Sequence, residues 1–259
     1  MASLMKKPLL LLGMLLICGC ASQRPPATNP PPSPAVVGEK VPSEDAVIKD
    51  FHSMGLMNGQ VNIFRCASPV RDLAKNSSAT RPSPSIAADA RLRMQRLYDL
   101  GIRTIISLED PAGDADDAAE PKLKPGKASP QVVIERQAAK EVGLTYITHP
   151  VVNSGANSLQ DMSDEAVLKL LDPIAADILK QAAKGGVAFH CSAGHDRTGI
   201  VAAYMRIRYQ KWSADQAIDE MRRYGHNWVK LSKNGGASSW HEEHLRAIAK
   251  LLQERGDAQ

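Results

Sequence analysis

The chain has 259 residues, of which 43% are hydrophobic, and a formal net charge of +4. That composition supports the core of one large domain or two small ones and excludes a chain disordered throughout. So small a charge, without a Lys/Arg run or aromatic–basic interleaving, argues against a nucleic-acid binder or a membrane-coating protein, while leaving room for a local basic pocket.

At the N-terminus, Lys6 and Lys7 precede an apolar run from Leu9 to Ile17, which meets Cys18, Gly19 and Cys20. A basic start, a short apolar stretch and small residues at its end read as a secretory signal over residues 1–19. The run is too short to span a bilayer, which takes about 20 apolar residues. The ending Ile17-Cys18-Gly19-Cys20 resembles a bacterial lipobox, which implies lipidation of Cys20 and a membrane anchor. An ordinary cleaved signal peptide is the alternative. Ala21 follows, where an Asp would retain such a lipoprotein at the inner membrane, so the expected location is the periplasmic face of the outer membrane. Residues 20–45 include Pro25, Pro26, Pro30, Pro31, Pro32 and Pro34 and are expected to form an extended tether. Beyond the leader only Cys66 and Cys191 remain, too few for a disulfide framework or a zinc site, and no metal or cofactor is expected.

Residues 46–259 alternate strand-like and helix-like segments. Val61 to Cys66 reads as a short strand. Arg91 to Leu100 carries Met94, Leu97 and Tyr98 on one helical face and stops at Gly101. Ile102 to Leu108 is a β-branched run suited to a buried strand. Asp110 to Ala128 reads as an exposed loop. Ser129-Pro130 opens a helix that Gly143 closes, and Leu144 to Thr148 is the next strand. Ser163 to Lys184 has Val167, Leu170, Leu171, Ile174 and Ile178 at helical spacing, with Pro173 predicting a kink or a break. Gly186 to His190 is a short central strand, and Thr198 to Tyr209 an apolar helix. Ser213 with Gln216, and Ser239 with Glu242, predict capping boxes for the last two helices. This order predicts an α/β fold, a central, mostly parallel sheet flanked by helices on both faces.

The segment His190-Cys191-Ser192-Ala193-Gly194-His195-Asp196-Arg197-Thr198-Gly199 joins a strand to a helix. Its backbone amides can converge on one point as an anion nest, and the helix start adds its dipole there. Such a setting is expected to bring the Cys191 thiol well below the free value of about 8.5. Arg197 supplies a planar fork for two phosphate oxygens, and Gly194 and Gly199 permit the curvature. A buried core cysteine at a strand end is the competing reading of Cys191.

His-Cys-x5-Arg-Thr-Gly resembles the signature of the protein tyrosine and dual-specificity phosphatase superfamily, and Asp196 before Arg197 is similar to a bacterial tyrosine and phosphoinositide phosphatase group. Phe64-Arg65-Cys66-Ala67-Ser68-Pro69, Gly101 to Leu108 and Trp212 to Ala217 resemble further segments of that group. The resemblance implies a phosphotyrosine phosphatase-like fold and a phosphocysteine intermediate on Cys191. It implies phosphate binding by Ser192, Ala193, Gly194, His195, Asp196 and Arg197. Thr198 is expected to hydrogen-bond the sulfur, and His190 to orient the loop. One carboxyl group must protonate the leaving oxygen and later take a proton from water. Asp161, at the spacing of the dual-specificity enzymes, and Asp196, inside the loop, are equal candidates. Asp164 follows, with Asp110 and Asp114 behind it. His195 stands where phosphoinositide-active relatives carry Lys, which weakens a second-phosphate preference. Cys66 and Cys191, the two mature thiols, suggest a redox switch if their strands are adjacent.

Four functions stay open. The first is a phosphatase acting on phosphorylated protein, and the second one acting on phosphoinositide or inositol phosphate. The others are a catalytically silent phosphate-binding lipoprotein and a rhodanese-like sulfur carrier.

Overall fold

The computed structural model describes residues 45–75, 82–110, 129–153, 158–227 and 239–256. The leader, most of the tether, Cys20 and Asp114 lie outside the described residues, as do nearly all of the acidic loop and part of the Val151–Met162 segment. In chain order the elements are β1 (His52–Ser53), β2 (Ile63–Ala67), α1 (Arg71–Lys75), α2 (Pro84–Asp99), β3 (Ile102–Ser107), α3 (Pro130–Val142) and β4 (Thr145–Thr148). A 3-10 turn (Leu159–Asp161) follows, then α4 (Asp164–Ala182), β5 (Gly186–Cys191), α5 (Asp196–Gln210), α6 (Ala214–Arg223) and α7 (Trp240–Glu254).

The strands form one sheet in the order β1-β2-β5-β3-β4. Only the β1–β2 edge pair is antiparallel. Every residue of β5 is buried, as its central place requires. The pleat sends alternate side chains to two cores. Val187, Phe189 and Cys191 enter one core with Ile106, Leu171, Ile178, Val201 and Ile248, beneath α4, α5 and α7. Ala188 enters the other with Cys66, Ile105, Met94, Leu97 and Ala138, beneath α2 and α3. The expected helices on both faces are therefore present.

Local signals account for the element ends. Ser83, Ser163, Ser213 and Ser239 each cap a helix, their hydroxyls accepting from a backbone amide in the first turn. Ser213 and Gln216 form the complete box. At α7 the Glu242 carboxylate instead takes two bonds from Arg222, at 2.8 and 2.6 Å, and ties α6 to α7. Of the kink or break expected at Pro173, the break does not occur, since α4 runs unbroken through it. Pro173 faces solvent, where water can satisfy the carbonyl its missing N–H would have bonded. Val167, Leu168, Leu171, Ile174 and Ile178 hold the opposite face in the core.

Candidate active site

Cys191 ends β5, only 3% exposed, and α5 begins five residues later at Asp196. The intervening loop is pinned from outside by β2 and its extension. Arg65, 1% exposed, donates from Nη2 to the Gly194 carbonyl at 2.7 Å, and the Ser68 amide donates to the Ser192 carbonyl at 3.1 Å. A planar trans peptide points its N–H opposite its carbonyl. With the Ser192 and Gly194 carbonyls turned out toward β2, the Ala193 and His195 amides are aimed away from it, into the loop. The nest expected from sequence has this polarity. Gly194 sits at φ +79°, and a Cβ there would fall 2.6 Å from the Cys66 carbonyl oxygen and 2.7 Å from the Ala67 amide. Only glycine allows that approach.

Arg197 is buried, and its Nη2 donates to Glu109 Oε1 at 3.1 Å. Glu109, also buried, lies two residues past the end of β3, the strand beside β5, so that neighbouring strand delivers the acid that orients the guanidinium. Thr198 Oγ1 accepts the Cys191 amide at 2.7 Å, a contact to the backbone of the residue that bears the sulfur, where sequence predicted one to the sulfur itself. His190 Nδ1 lies 3.1 Å from the Cys191 carbonyl, and its Nε2 lies 3.5 Å from Glu135 Oε2. Glu135 also accepts from the Ser68 hydroxyl and from Tyr146 at 2.8 Å. Burial, with this carboxylate beside it, drives the Tyr146 phenol well above its usual range and keeps it a donor. His190 is thus a structural member of a sealed polar cluster beneath the loop.

The outer rim of the loop rests on the turn after α6. Arg65 stacks over Tyr224 at 4.5 Å. Gly225, at φ +97°, leaves the space in which His195 packs, for a Cβ would lie 2.9 Å from the imidazole Nε2. His226 Nδ1 is 2.6 Å from Asp196 Oδ1. His195 Nε2 also lies 3.6 Å from Asp50 Oδ2.

The remaining acids are placed differently. Asp164, in the first turn of α4, pairs with His244 Nδ1 at 2.6 Å. Asp161 is exposed in the 3-10 turn and accepts from the Ser158 hydroxyl at 3.2 Å. Asp196 lies in the loop segment itself, at the start of α5, and pairs with His226. Cys66 and Cys191 are free thiols. Their strands are adjacent, but the register pairs Cys66 with His190 and Ala67 with Cys191. The two sulfurs therefore enter opposite cores, and a bridge would need a strand slip of one residue. Sequence reasoning missed Glu109, Glu135, Asp50 and His226. Glu109 alone carried a signal, as an acid at the end of a buried strand.

Residues 83–207, which span α2 to α5 and include Cys191 and Arg197, match the model of a tyrosine phosphatase family. Over 42 residues the chain is 45% identical to the dual specificity protein phosphatase TpbA of Pseudomonas aeruginosa (strain UCBPP-PA14). That stretch is 16% of this chain, and it spans about a fifth (19%) of the relative's length. Among solved structures, P. aeruginosa TpbA is 20% identical with a TM-score of 0.42, covering 80% of this chain and 94% of that one. The core catalytic domain of the PP-IP phosphatase SIW14 from S. cerevisiae is 16% identical, also with a TM-score of 0.42, covering 84% and 96%. The matched segment is just under half of the chain, and with the cysteine and arginine of the loop inside it, this stretch is similar to the tyrosine phosphatase family.

Proposed function

We propose that the chain hydrolyses phosphate monoesters through a phosphocysteine intermediate on Cys191, with phosphotyrosine-bearing protein as the first substrate class. The observation that carries this reading is the loop itself. A cysteine ends the central strand and is followed by a loop with inward-aimed amides, a helix N-terminus and an arginine clamped by Glu109. The Cys191 sulfur attacks phosphorus as the ester P–O bond breaks, and the leaving oxygen takes a proton from Asp196. Water then attacks the phosphocysteine, giving its proton to Asp196 as the S–P bond breaks. The amides and Arg197 receive the charge that builds on the equatorial oxygens.

Two things support a protein substrate. The TpbA relative is a dual specificity protein phosphatase. Asp50 beside His195 puts negative charge where a second phosphate would need positive charge. Turnover of an aryl phosphate that falls about a thousandfold or more in Cys191→Ser tests the chemistry. A panel of phosphotyrosine peptide, phosphoserine peptide and phosphoinositide tests the substrate, and preference for the lipid would overturn this choice. The leader further supports export and anchoring through Cys20. Fatty-acid labelling in cells that persists in Cys20→Ala would remove the anchor.

A further inference from the structure

We propose that His226 is the positioning residue for Asp196, holding its carboxyl group ready to protonate the leaving oxygen. This inference rests on the phosphatase reading above. His226 is buried in the turn after α6, between the catalytic loop and the head of α7. Its Nε2 lies 3.0 Å from Ser239 Oγ, and its Nδ1 lies 2.6 Å from Asp196 Oδ1. Ser239 also caps α7, its Oγ accepting the Glu242 amide at 3.4 Å. The Asp196 carboxylate can only accept, so Nδ1 carries the hydrogen that points at it, and in the neutral ring Nε2 is left to accept from the Ser239 hydroxyl.

That arrangement fixes which oxygen reacts. With Oδ1 engaged by His226, Oδ2 of Asp196 is the atom that exchanges a proton with substrate, and the side chain is 25% exposed, enough to reach it. The same Nδ1–H serves both halves of the cycle. It bonds the carbonyl oxygen of the protonated acid, and then the carboxylate left when the proton goes to the departing oxygen. In the second half, water returns the proton to Oδ2 while the S–P bond breaks. The His241 ring packs edge-on against His226, the two centroids 5.0 Å apart.

A leaving-group series tests the assignment. Departure of 4-nitrophenolate needs little protonation, whereas phenolate and alkoxides depend on it. In His226→Gln, which keeps bulk but moves the donor, kcat should fall about threefold on 4-nitrophenyl phosphate and about a hundredfold on phenyl phosphate. His226→Asn restores a donor near the Nδ1 position and should recover at least about tenfold of the phenyl phosphate loss. Adding His226→Gln to Asp196→Asn should cost no more than about twofold further, because both act through one carboxyl group. A loss equal across the series, an Asn variant no better than Gln, or an additive double variant would overturn the inference and leave the phosphatase reading standing. A wild-type protein that turns over no phosphate ester removes both.

Discussion

The catalytic loop is shaped by single residues that reach it from distant parts of the chain. Arg197 can grip two phosphate oxygens only if its fork is held in plane, and Glu109, 88 positions earlier, does this from the end of β3. Both side chains are almost out of water, so their attraction is little screened, and an unpaired charge here would be costly. Glu109→Gln keeps an acceptor but removes the charge. It should lower kcat/KM on an aryl phosphate by about ten- to a hundredfold through a misdirected fork. Steady-state kinetics on the variant decide this, and a change under about twofold would mean that Arg197 holds its position without Glu109. Gly194 sets the other limit on the loop. Its left-handed backbone and its approach to the Cys66 carbonyl leave no room for any other residue.

At the scale of elements, most of the fold was legible because periodicity and caps are local. The strand Ile102–Ser107 and the helix from Pro130 to Val142 lie where the β-branched run and the Ser-Pro start put them. The capping box at Ser213 is also as expected. What could not be read is long-range. The two-residue strand His52–Ser53 has no period of its own and exists because β2 offers an edge. The pairing of His226 with Asp196 depends on how the turn after α6 folds back, which no spacing announces. The head of α7 carries a consequence of that packing. His241 is buried against the edge of His226 and the face of Trp240, with Asn153 3.4 Å from its Nε2. Burial, and then the nearby His226, His244 and Arg197, hold its imidazole well below the ordinary histidine range. Its folded value is depressed, so below about pH 6.5 the unfolded chain binds a proton that the folded one refuses. Stability is therefore full above that pH and falls as pH drops beneath it, by up to about 1.4 kcal/mol per unit for this one site. Urea unfolding at pH 7.5, 6.5 and 5.5 should show the decline, and His241→Gln should flatten it. An unchanged pH slope in that variant would place the acid sensitivity elsewhere.

For the molecule as a whole, the sheet acts as a partition between two cores, and Cys66 reports on one of them. Its thiol is fully buried among Ile48, Phe51, Val70, Met94 and Leu97, on the face away from Cys191. Burial, and then the Glu135 carboxylate, push it far above the ordinary thiol range, so little thiolate is present at any pH where the protein is folded. β2 pairs on one side with buried β5 and on the other with the two residues of β1, flanked by the bonds from Ala67 to Lys49 and from Met54 to Ile63. The question is therefore whether the segment before β2 can open by itself. Phe51 stacks on Phe64 at 4.7 Å, Arg96 donates to Asp45, and the Ala67 amide donates to the Lys49 carbonyl. These contacts fasten that segment to both the sheet and α2, and its release requires breaking the core it covers. Cys66 should accordingly react with an aromatic disulfide reagent only as the whole domain unfolds, its labelling midpoint in urea coinciding with that of the far-ultraviolet circular dichroism. Labelling complete well below that midpoint would show that residues 45–53 detach as a separate unit and that the core beneath α2 and α3 does not melt with the one beneath α4, α5 and α7.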